Sequence, residues 1–239
     1  MLYFIMKIIE AIIEALYKDP VYNKFTRKIG RYFLSASILI CHKPYDEHIH
    51  NIIIKNIDPV RYATIALAIN TIQKSKIEGA FAEVGVYKGD TSKFIHKIAP
   101  ERELYLFDTF EGFPKEDMEN PNDLDERFKD TSVEIVKKNI GDLNNIIIKK
   151  GYFPETTKGL ENKKFAFVML DVDKYKPTLA GLEFFYPRLN SGGYIFLHDY
   201  NSSESNYGVS RAFNKFINDK PEKFVEIPDA NGTVVIRKI

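Results

Sequence analysis

The stretch EVGVYKGDT, Glu83–Thr91, decides the fold of this chain, because it joins a short apolar run to a helical pattern through two glycines. The apolar run starts at Ala80, and the helical pattern continues to Ile98. A strand that turns into a helix in this way is typical of a β-α-β unit. The junction therefore predicts the start of a parallel sheet with helices packed on it.

Apolar runs and helical patterns alternate through the chain beyond this point. The predicted strands are Ala80–Val86, Leu104–Phe107, Ile146–Lys149, Phe165–Leu170 and Tyr194–Leu197, and the predicted helices are Thr91–Ile98, Ser132–Asn139 and Pro177–Leu189. A run as continuously apolar as FAFVML suits a sheet that is covered on both faces. The rhythm predicts an α/β fold with a mostly parallel sheet and right-handed crossovers.

The C-terminal end of the chain has a different pattern. Two short runs, Lys223–Ile227 and Thr233–Ile236, flank the segment PDANG. Pro, Asp, Asn and Gly clustered in this way are a turn signal. We therefore expect the sheet to end in an antiparallel hairpin.

The N-terminal part of the chain predicts a helical extension, residues 1–57, ahead of a main domain at 58–239. Near its start, Lys7, Glu10 and Glu14 fall on one face of an amphipathic helix. These charges interrupt the apolar run, and the basic start and cleavage site of a signal peptide are missing. We expect this helix to pack on the body of the protein or on a second copy, making a homo-oligomer, and we expect no membrane span.

The charge balance and the cysteine count of the chain argue against some classes of function. The 239 residues include 34 Lys and Arg against 33 Asp and Glu, which gives a net charge of +1. This balance argues against a protein built around nucleic-acid binding. The chain has 1 cysteine, Cys41, so an internal disulfide is excluded and a reducing, cytoplasmic compartment is expected.

Acidic residues lie at the ends of four predicted strands, where open α/β sheets bind their ligands. Glu83 and its glycine loop follow the first strand, Asp108 the second, Asp171 the fourth, and His198 with Asp199 the fifth. Any one of these acids alone suits a helix cap. Folding does not demand an acid at four strand ends, so together they predict a binding site.

The glycine loop after the first strand is a candidate nucleoside site. It holds Gly85 and Gly89 and lacks the third glycine of G-x-G-x-x-G, which disfavours a nicotinamide dehydrogenase. Two glycines after Glu83 suit a tight turn beside a smaller, less anionic ligand. Asp108, at the end of the next strand, has a carboxylate that can accept hydrogen bonds from two ribose hydroxyls.

Four motifs in order resemble the macrocin O-methyltransferase family. They are EVGVYKGD (Glu83–Asp90), LFDTFEGFP (Leu106–Pro114), LDVDKYKPT (Leu170–Thr178) and YPRLNSGGYIFLHDY (Tyr186–Tyr200). The resemblance runs from about residue 58 to 216 and leaves the N-terminal segment without a comparable signature. It implies a class I methyltransferase sheet of the Rossmann-like type, in an enzyme that uses S-adenosylmethionine to methylate sugar hydroxyls.

The resemblance also implies which residues hold the cofactor. Glu83, Gly85, Tyr87 and Gly89 would line its methionine part, Asp108 would hold its ribose, and Thr91, Thr109 and Phe110 complete the predicted set. Family members bind a divalent metal through acids after the fourth and fifth strands.

The metal site can also be argued from the residues themselves. Asp171 and Asp199 end strands that are commonly neighbours, so two carboxylates and the His198 imidazole would meet there. Such groups would repel or cap one another, or share a cation. Oxygen ligands suit Mg²⁺. The family pattern is D-D-Y, and this chain has His198-Asp199-Tyr200. A histidine ligand favours Mn²⁺, Fe²⁺ or Zn²⁺ more than an acid does, and His198 can equally act as general base or cap the strand.

These observations predict an in-line methyl transfer in which a divalent ion, with Mg²⁺ expected, lowers the pKa of a sugar-like acceptor hydroxyl. Asp171 or His198 would take its proton. A catechol-like acceptor would chelate the metal equally well, so it stays an alternative. A non-catalytic protein of the same fold, assembled through its N-terminal helices, is the other alternative.

Overall fold

The computed structural model describes residues 47–120 and 123–239. The chain divides into two compact units, Met1–Pro59 and Val60–Ile239. The described part of the first unit includes helix α1 (Glu47–Lys55). The predicted amphipathic helix and Cys41 lie outside the described residues, and the domain boundary, the oligomer and the compartment stay predictions.

From Pro59 onward, helices and strands alternate along the chain. The helices are α2 (Pro59–Lys74), α3 (Asp90–Ile98), α4 (Val133–Ile140), α5 (Tyr175–Phe185) and α6 (Gly208–Ile217). The strands are β1 (Ala80–Val84), β2 (Leu104–Asp108), β3 (Ile146–Lys150), β4 (Phe165–Leu170), β5 (Leu189–Leu197), β6 (Phe224–Ile227) and β7 (Thr233–Arg237). Across the two described ranges, no helix combines the length and apolar character that crossing a membrane requires.

The strands form a 7-stranded sheet in the order β3-β2-β1-β4-β5-β7-β6. The pairs from β3 to β5 are parallel. Strand β7 runs antiparallel to β5 and to β6. This confirms the predicted α/β fold, a mostly parallel sheet that ends in an antiparallel hairpin.

The middle of the sheet is fully covered, as the apolar run FAFVML predicts. Every residue of β4 is buried. Aromatic rings fill the space between the sheet and α5: the ring of Phe185 lies 5.0 Å from that of Phe165 and 6.0 Å from that of Phe107. This packing fixes β4 at the centre of the second unit.

Two predicted boundaries between α5 and β5 are wrong. The helix ends at Phe185 and not at Leu189, since a short 3-10 turn follows that contains Pro187, which has no N–H to continue the helix. Strand β5 begins at Leu189 and not at Tyr194, and its pairing with β4 shifts register in between. The glycine-rich segment 190–193 thus belongs to an irregular strand.

Helix α6 was not predicted, although its pattern is visible in the sequence. Its buried apolar residues, Val209, Ala212, Phe213 and Phe216, recur at helical spacing. The segment before it, SSESN, suggests a loop, and no apolar run marks where the loop ends.

The strand order reverses between β1 and β4, which is the position where open α/β sheets bind ligands. Gly85, the residue after β1, has a φ of 85°, and a Cβ placed there would lie 1.9 Å from the carbonyl oxygen of Asp171. The Asp171 N–H in turn donates to the Val84 carbonyl at 2.9 Å. The first motif and the third therefore touch through their backbones.

We predict that Gly85→Ala disrupts this contact. Gly159 has the same φ of 85° with no atom within 4 Å of its Cβ position, so Gly159→Ala measures the conformational cost alone, about 1–2 kcal/mol. Gly85→Ala should lower the free energy of unfolding by at least about 2 kcal/mol more, because the added methyl group overpacks the site. Urea denaturation of both variants checks this, and equal losses would contradict it.

Candidate active site

The glycine loop after β1 is held by the carboxylate of Asp108. Oδ2 of Asp108 accepts from the backbone N–H groups of Val86 and Tyr87 at 2.7 and 2.9 Å, and Oδ1 accepts from the N–H of Phe110 at 2.7 Å. A carboxylate offers about four acceptor positions, so three are already used. The predicted bond to a ribose can use what remains, and the main contribution of Asp108 here is to shape the loop.

Glu83 lies beneath this loop and is 1% exposed. The Ser92 hydroxyl, at the start of α3, donates to its carboxylate. Burial raises the pKa of Glu83 to about 8, and the hydrogen bond from Ser92 offsets only part of that rise. A carboxyl group at the inner end of the loop therefore lowers the free energy of unfolding when it is ionised.

The side chains of Tyr87 and Thr109 are directed to nearby loops. The Tyr87 hydroxyl donates to Asp130 Oδ1 at 2.8 Å, and the Thr109 hydroxyl donates to the Gly112 carbonyl at 2.8 Å. Gly89 has a left-handed backbone and starts α3. Tyr87 and Gly89 lie on the loop after β1 and Thr109 lies on the loop after β2, and their roles toward a ligand stay predictions.

Three further predicted residues meet at the ends of β4 and β5, which are paired neighbours. Nδ1 of His198 lies 3.1 Å from Oδ1 of Asp171 and 2.9 Å from Oδ2 of Asp199. Nε2 of His198 is buried and has no hydrogen-bond partner among the described residues. The structure thus brings Asp171, His198 and Asp199 into one cluster.

Arg61 of α2 contacts this cluster, and no sequence pattern singles it out. Its guanidinium forms an ion pair with Oδ2 of Asp171, and Nη2 also lies 3.5 Å from the Thr91 hydroxyl. Thr91, expected to contact the cofactor, therefore links the start of α3 to the acid cluster through Arg61. A lone arginine on a helix ahead of the motifs carries no recognisable spacing.

The cluster holds its charges in a buried setting. Burial would raise the pKa of Asp171, but the Arg61 and His198 charges outweigh it and hold that pKa below its ordinary value. Burial disfavours a charged imidazole, yet the Asp171 and Asp199 carboxylates raise the pKa of His198 to about 10. Without a bound cation, His198 is therefore protonated at neutral pH.

Asp173 is a further acid beside the cluster. It is 8% exposed, and Nη2 of Arg127 lies 3.2 Å from its Oδ2. Burial and the neighbouring Asp199 carboxylate raise the pKa of Asp173 to about 8. Of the carboxyl groups of Asp171, Asp173 and Asp199, that of Asp173 titrates closest to neutral pH.

The cluster fits a divalent cation in donor type and spacing. One ligand atom each from Asp171, His198 and Asp199 lies within 4.8 Å of the others. Neighbouring ligands of an octahedral ion with bonds of about 2.1 Å are about 3 Å apart, close to the 2.9 and 3.1 Å measured from His198 Nδ1. A cation would take the place of the Nδ1 proton.

We predict that removing one partner of the Arg61–Asp171 ion pair lowers the free energy of unfolding more than removing both partners does. Asp171→Asn leaves the Arg61 charge buried and should lower the free energy of unfolding by about 3–5 kcal/mol. The double variant Arg61→Met with Asp171→Leu removes both charges and should lose less. Urea denaturation compares the two, and a double variant less stable than Asp171→Asn would refute the prediction.

We predict that Glu83→Gln raises stability at pH 8. The pKa of Glu83 is raised on folding, so the carboxyl group favours the folded state at low pH and this advantage is lost as the pH rises through about 8. The amide has no charge to bury, so the variant should gain about 1 kcal/mol or more at pH 8, roughly 2–4 °C in Tm. Thermal unfolding at pH 5 and pH 8 checks this; a gain that is no larger at pH 8 would contradict it.

The chain matches a known protein family over most of its length. The family described as macrocin-O-methyltransferase (TylF) matches residues 54–228. The chain belongs to this family. The match confirms the resemblance that the four motifs indicated, and it includes every residue of the predicted site.

Two curated relatives of this chain are named for methyl transfer. It is 26% identical over 163 residues to the 8-demethyl-8-(2,3-dimethoxy-alpha-L-rhamnosyl)-tetracenomycin-C 4'-O-methyltransferase of Streptomyces olivaceus, covering 62% of this chain and 60% of that protein. It is 25% identical over 150 residues to the mycinamicin III 3''-O-methyltransferase of Micromonospora griseorubida, covering 55% and 59%. The chain thus spans about three fifths of the length of these relatives.

A solved structure agrees on the fold. The O-methyltransferase NovP superposes with a TM-score of 0.64 and 18% identity, over 90% of this chain and 98% of that one. At this identity the likeness concerns the fold, which is that of class I methyltransferases.

Proposed function

We propose that this chain is an S-adenosylmethionine-dependent O-methyltransferase that acts on a hydroxyl group of a sugar or glycosylated small molecule, with help from a divalent cation. The observation that carries the proposal is the contact between Gly85 and Asp171. It puts the glycine loop and the cluster of Asp171, His198 and Asp199 at one edge of the sheet. A methyl donor in the loop would therefore lie beside an acceptor held at the cluster.

The cofactor supplies a methyl group on a sulfonium, which is already a good leaving group. The chain's task is to hold and orient it. We assign its methionine end to Glu83, Gly85, Tyr87, Gly89 and Thr91, and its nucleoside end to Asp108, Thr109 and Phe110. The buried Glu83 carboxylate supports this assignment, because a cationic amino group would stabilise its charge.

We assign the cation to Asp171, His198 and Asp199. Bound there, it would lower the pKa of an acceptor hydroxyl. Two carboxylates favour Mg²⁺, and the His198 nitrogen makes Mn²⁺ or another transition metal an alternative. Correct placement of donor and acceptor supplies much of the rate, about 7–11 kcal/mol at best.

Asp171 and His198 are our candidates for the catalytic side chains. Asp171 is kept ionised by Arg61, so it suits orienting the acceptor hydroxyl better than retaining its proton. His198 is a ligand through Nδ1 when a cation is bound, so it could act as a base at this nitrogen only in a cation-free site and only after losing the Nδ1 proton. Asp173 is a third candidate to take the proton: burial and the Asp199 carboxylate raise its pKa above the ordinary value when no cation is bound.

The proposal of a sugar acceptor rests on the Streptomyces olivaceus relative, whose name includes a rhamnosyl group. Titration calorimetry with S-adenosylhomocysteine tests the cofactor first. Transfer of a labelled methyl group to a rhamnoside and to a catechol, each with and without Mg²⁺, then tests the acceptor. Transfer to the catechol alone would favour the phenol alternative, and no affinity for the cofactor would overturn the proposal.

We predict that Asp173→Asn lowers kcat by about 10²–10⁴-fold, because the amide cannot accept a proton. Affinity for S-adenosylhomocysteine should change by less than about threefold, since Asp173 is not part of the glycine loop. Asp125→Asn is the matched control: Asp125 also pairs with Arg127, at 2.8 Å. An equal loss of kcat in the control would assign the effect to Arg127 and not to proton transfer.

A further inference from the structure

Each acid of the cluster has one oxygen tied to a residue outside the motifs. Oδ1 of Asp171 faces His198 Nδ1 at 3.1 Å, while its Oδ2 is held by Arg61. Oδ2 of Asp199 faces the same nitrogen at 2.9 Å, while its Oδ1 accepts from Nδ2 of Asn231 at 2.7 Å. The inner oxygens converge on one point, and the outer oxygens are both occupied by fixed donors.

Asn231 reaches Asp199 because the hairpin turn is attached to the segment after β5. The Tyr200 N–H donates to the Gly232 carbonyl at 2.9 Å, and the Asn201 N–H donates to the Asn231 carbonyl at 2.8 Å. Both Asn231 and Asp199 have left-handed backbones, with φ of 62° and 59°. The turn therefore fixes the backbone of Asp199 and, through the Asn231 amide, the rotation of its carboxylate.

Arg61, from α2, does the same for Asp171. Its side chain is 12% exposed, and its guanidinium reaches both the Asp171 carboxylate and the Thr91 hydroxyl. A planar guanidinium with several fixed donors orients a carboxylate more strictly than a single amine does. Asp171 therefore has a defined rotation before any ligand binds.

We propose that Arg61 and Asn231 are positioning residues that form a clamp on the two carboxylates, so that the inner oxygens and His198 present a preformed site to one divalent cation. The clamp rests on the cation of the proposed function. Partners that hydrogen-bond to metal ligands commonly change metal affinity by about 10–100-fold when they are removed. The two residues come from α2 and from the β6–β7 turn, so each carboxylate is held by a different part of the fold.

Asn231→Gly tests the clamp without adding backbone strain, because glycine accepts a positive φ. Asn145→Gly is the matched control: Asn145 has a φ of 60° and its Nδ2 donates to the Pro100 carbonyl at 2.9 Å, away from the cluster. Mn²⁺ is titrated into the cation-free chain, and S-adenosylhomocysteine is titrated separately. We expect Asn231→Gly to weaken Mn²⁺ binding about tenfold, with cofactor affinity and the Asn145→Gly control unchanged within about twofold.

Arg61→Lys provides a second measurement, because it keeps the charge and loses the planar fork. It too should weaken Mn²⁺ binding. Unchanged Mn²⁺ affinity in both Asn231→Gly and Arg61→Lys would overturn the clamp, and so would an equal loss in Asn145→Gly. If the wild-type chain binds no Mn²⁺, the clamp is overturned even if the chain transfers methyl groups. If the chain binds Mn²⁺ but transfers no methyl group, the proposed function is overturned, and the Mn²⁺ affinities of the variants still test the clamp.

Discussion

The close approach of Gly85 to the backbone carbonyl of Asp171 is the constraint on which the candidate site depends. A side chain at residue 85 would occupy the space of that carbonyl, at 1.9 Å. The strands that carry these two residues are central neighbours in the sheet, and the chain leaves them toward opposite edges. Because the contact is between backbones, the glycine loop and the acid cluster keep a fixed spacing.

Charge balance is the second constraint on the site. Buried carboxylates disfavour folding unless they are paired, and the cluster gathers Asp171, Asp199 and Asp173 at the ends of β4 and β5. Arg61 and Arg127 each pair with one of these acids. His198 is protonated when no cation is present, so a cation at the proposed site would have to displace this proton. The family pattern D-D-Y has an acid where this chain has His198, and cation binding here would therefore depend on pH as well as on geometry.

The fold was predicted correctly where burial of a strand dictates its sequence pattern. Phe165–Leu170 matches β4 at both ends, because a strand covered on both faces must be apolar throughout. The prediction failed between residues 185 and 194, where a proline ends a helix and a glycine-rich segment joins a strand through an irregular register. Helix α6 was missed because a polar loop leads into it. The strand-end acids were identified because their position follows from sheet topology alone.

The sequence by itself determined the alternation of strands and helices, the glycine loop, and the meeting of Asp171, His198 and Asp199, because the carboxyl ends of parallel neighbours lie at one edge of a sheet. Only the tertiary structure decided the roles of Arg61, Asp173 and Asn231. Arg61 lies 110 residues before the acid it pairs with, and Asn231 lies 32 residues after its own. Such contacts are made by chain segments that packing brings together, and no local spacing records them. The tertiary structure also sets the protonation states of the site residues, because burial and neighbouring charges determine each pKa.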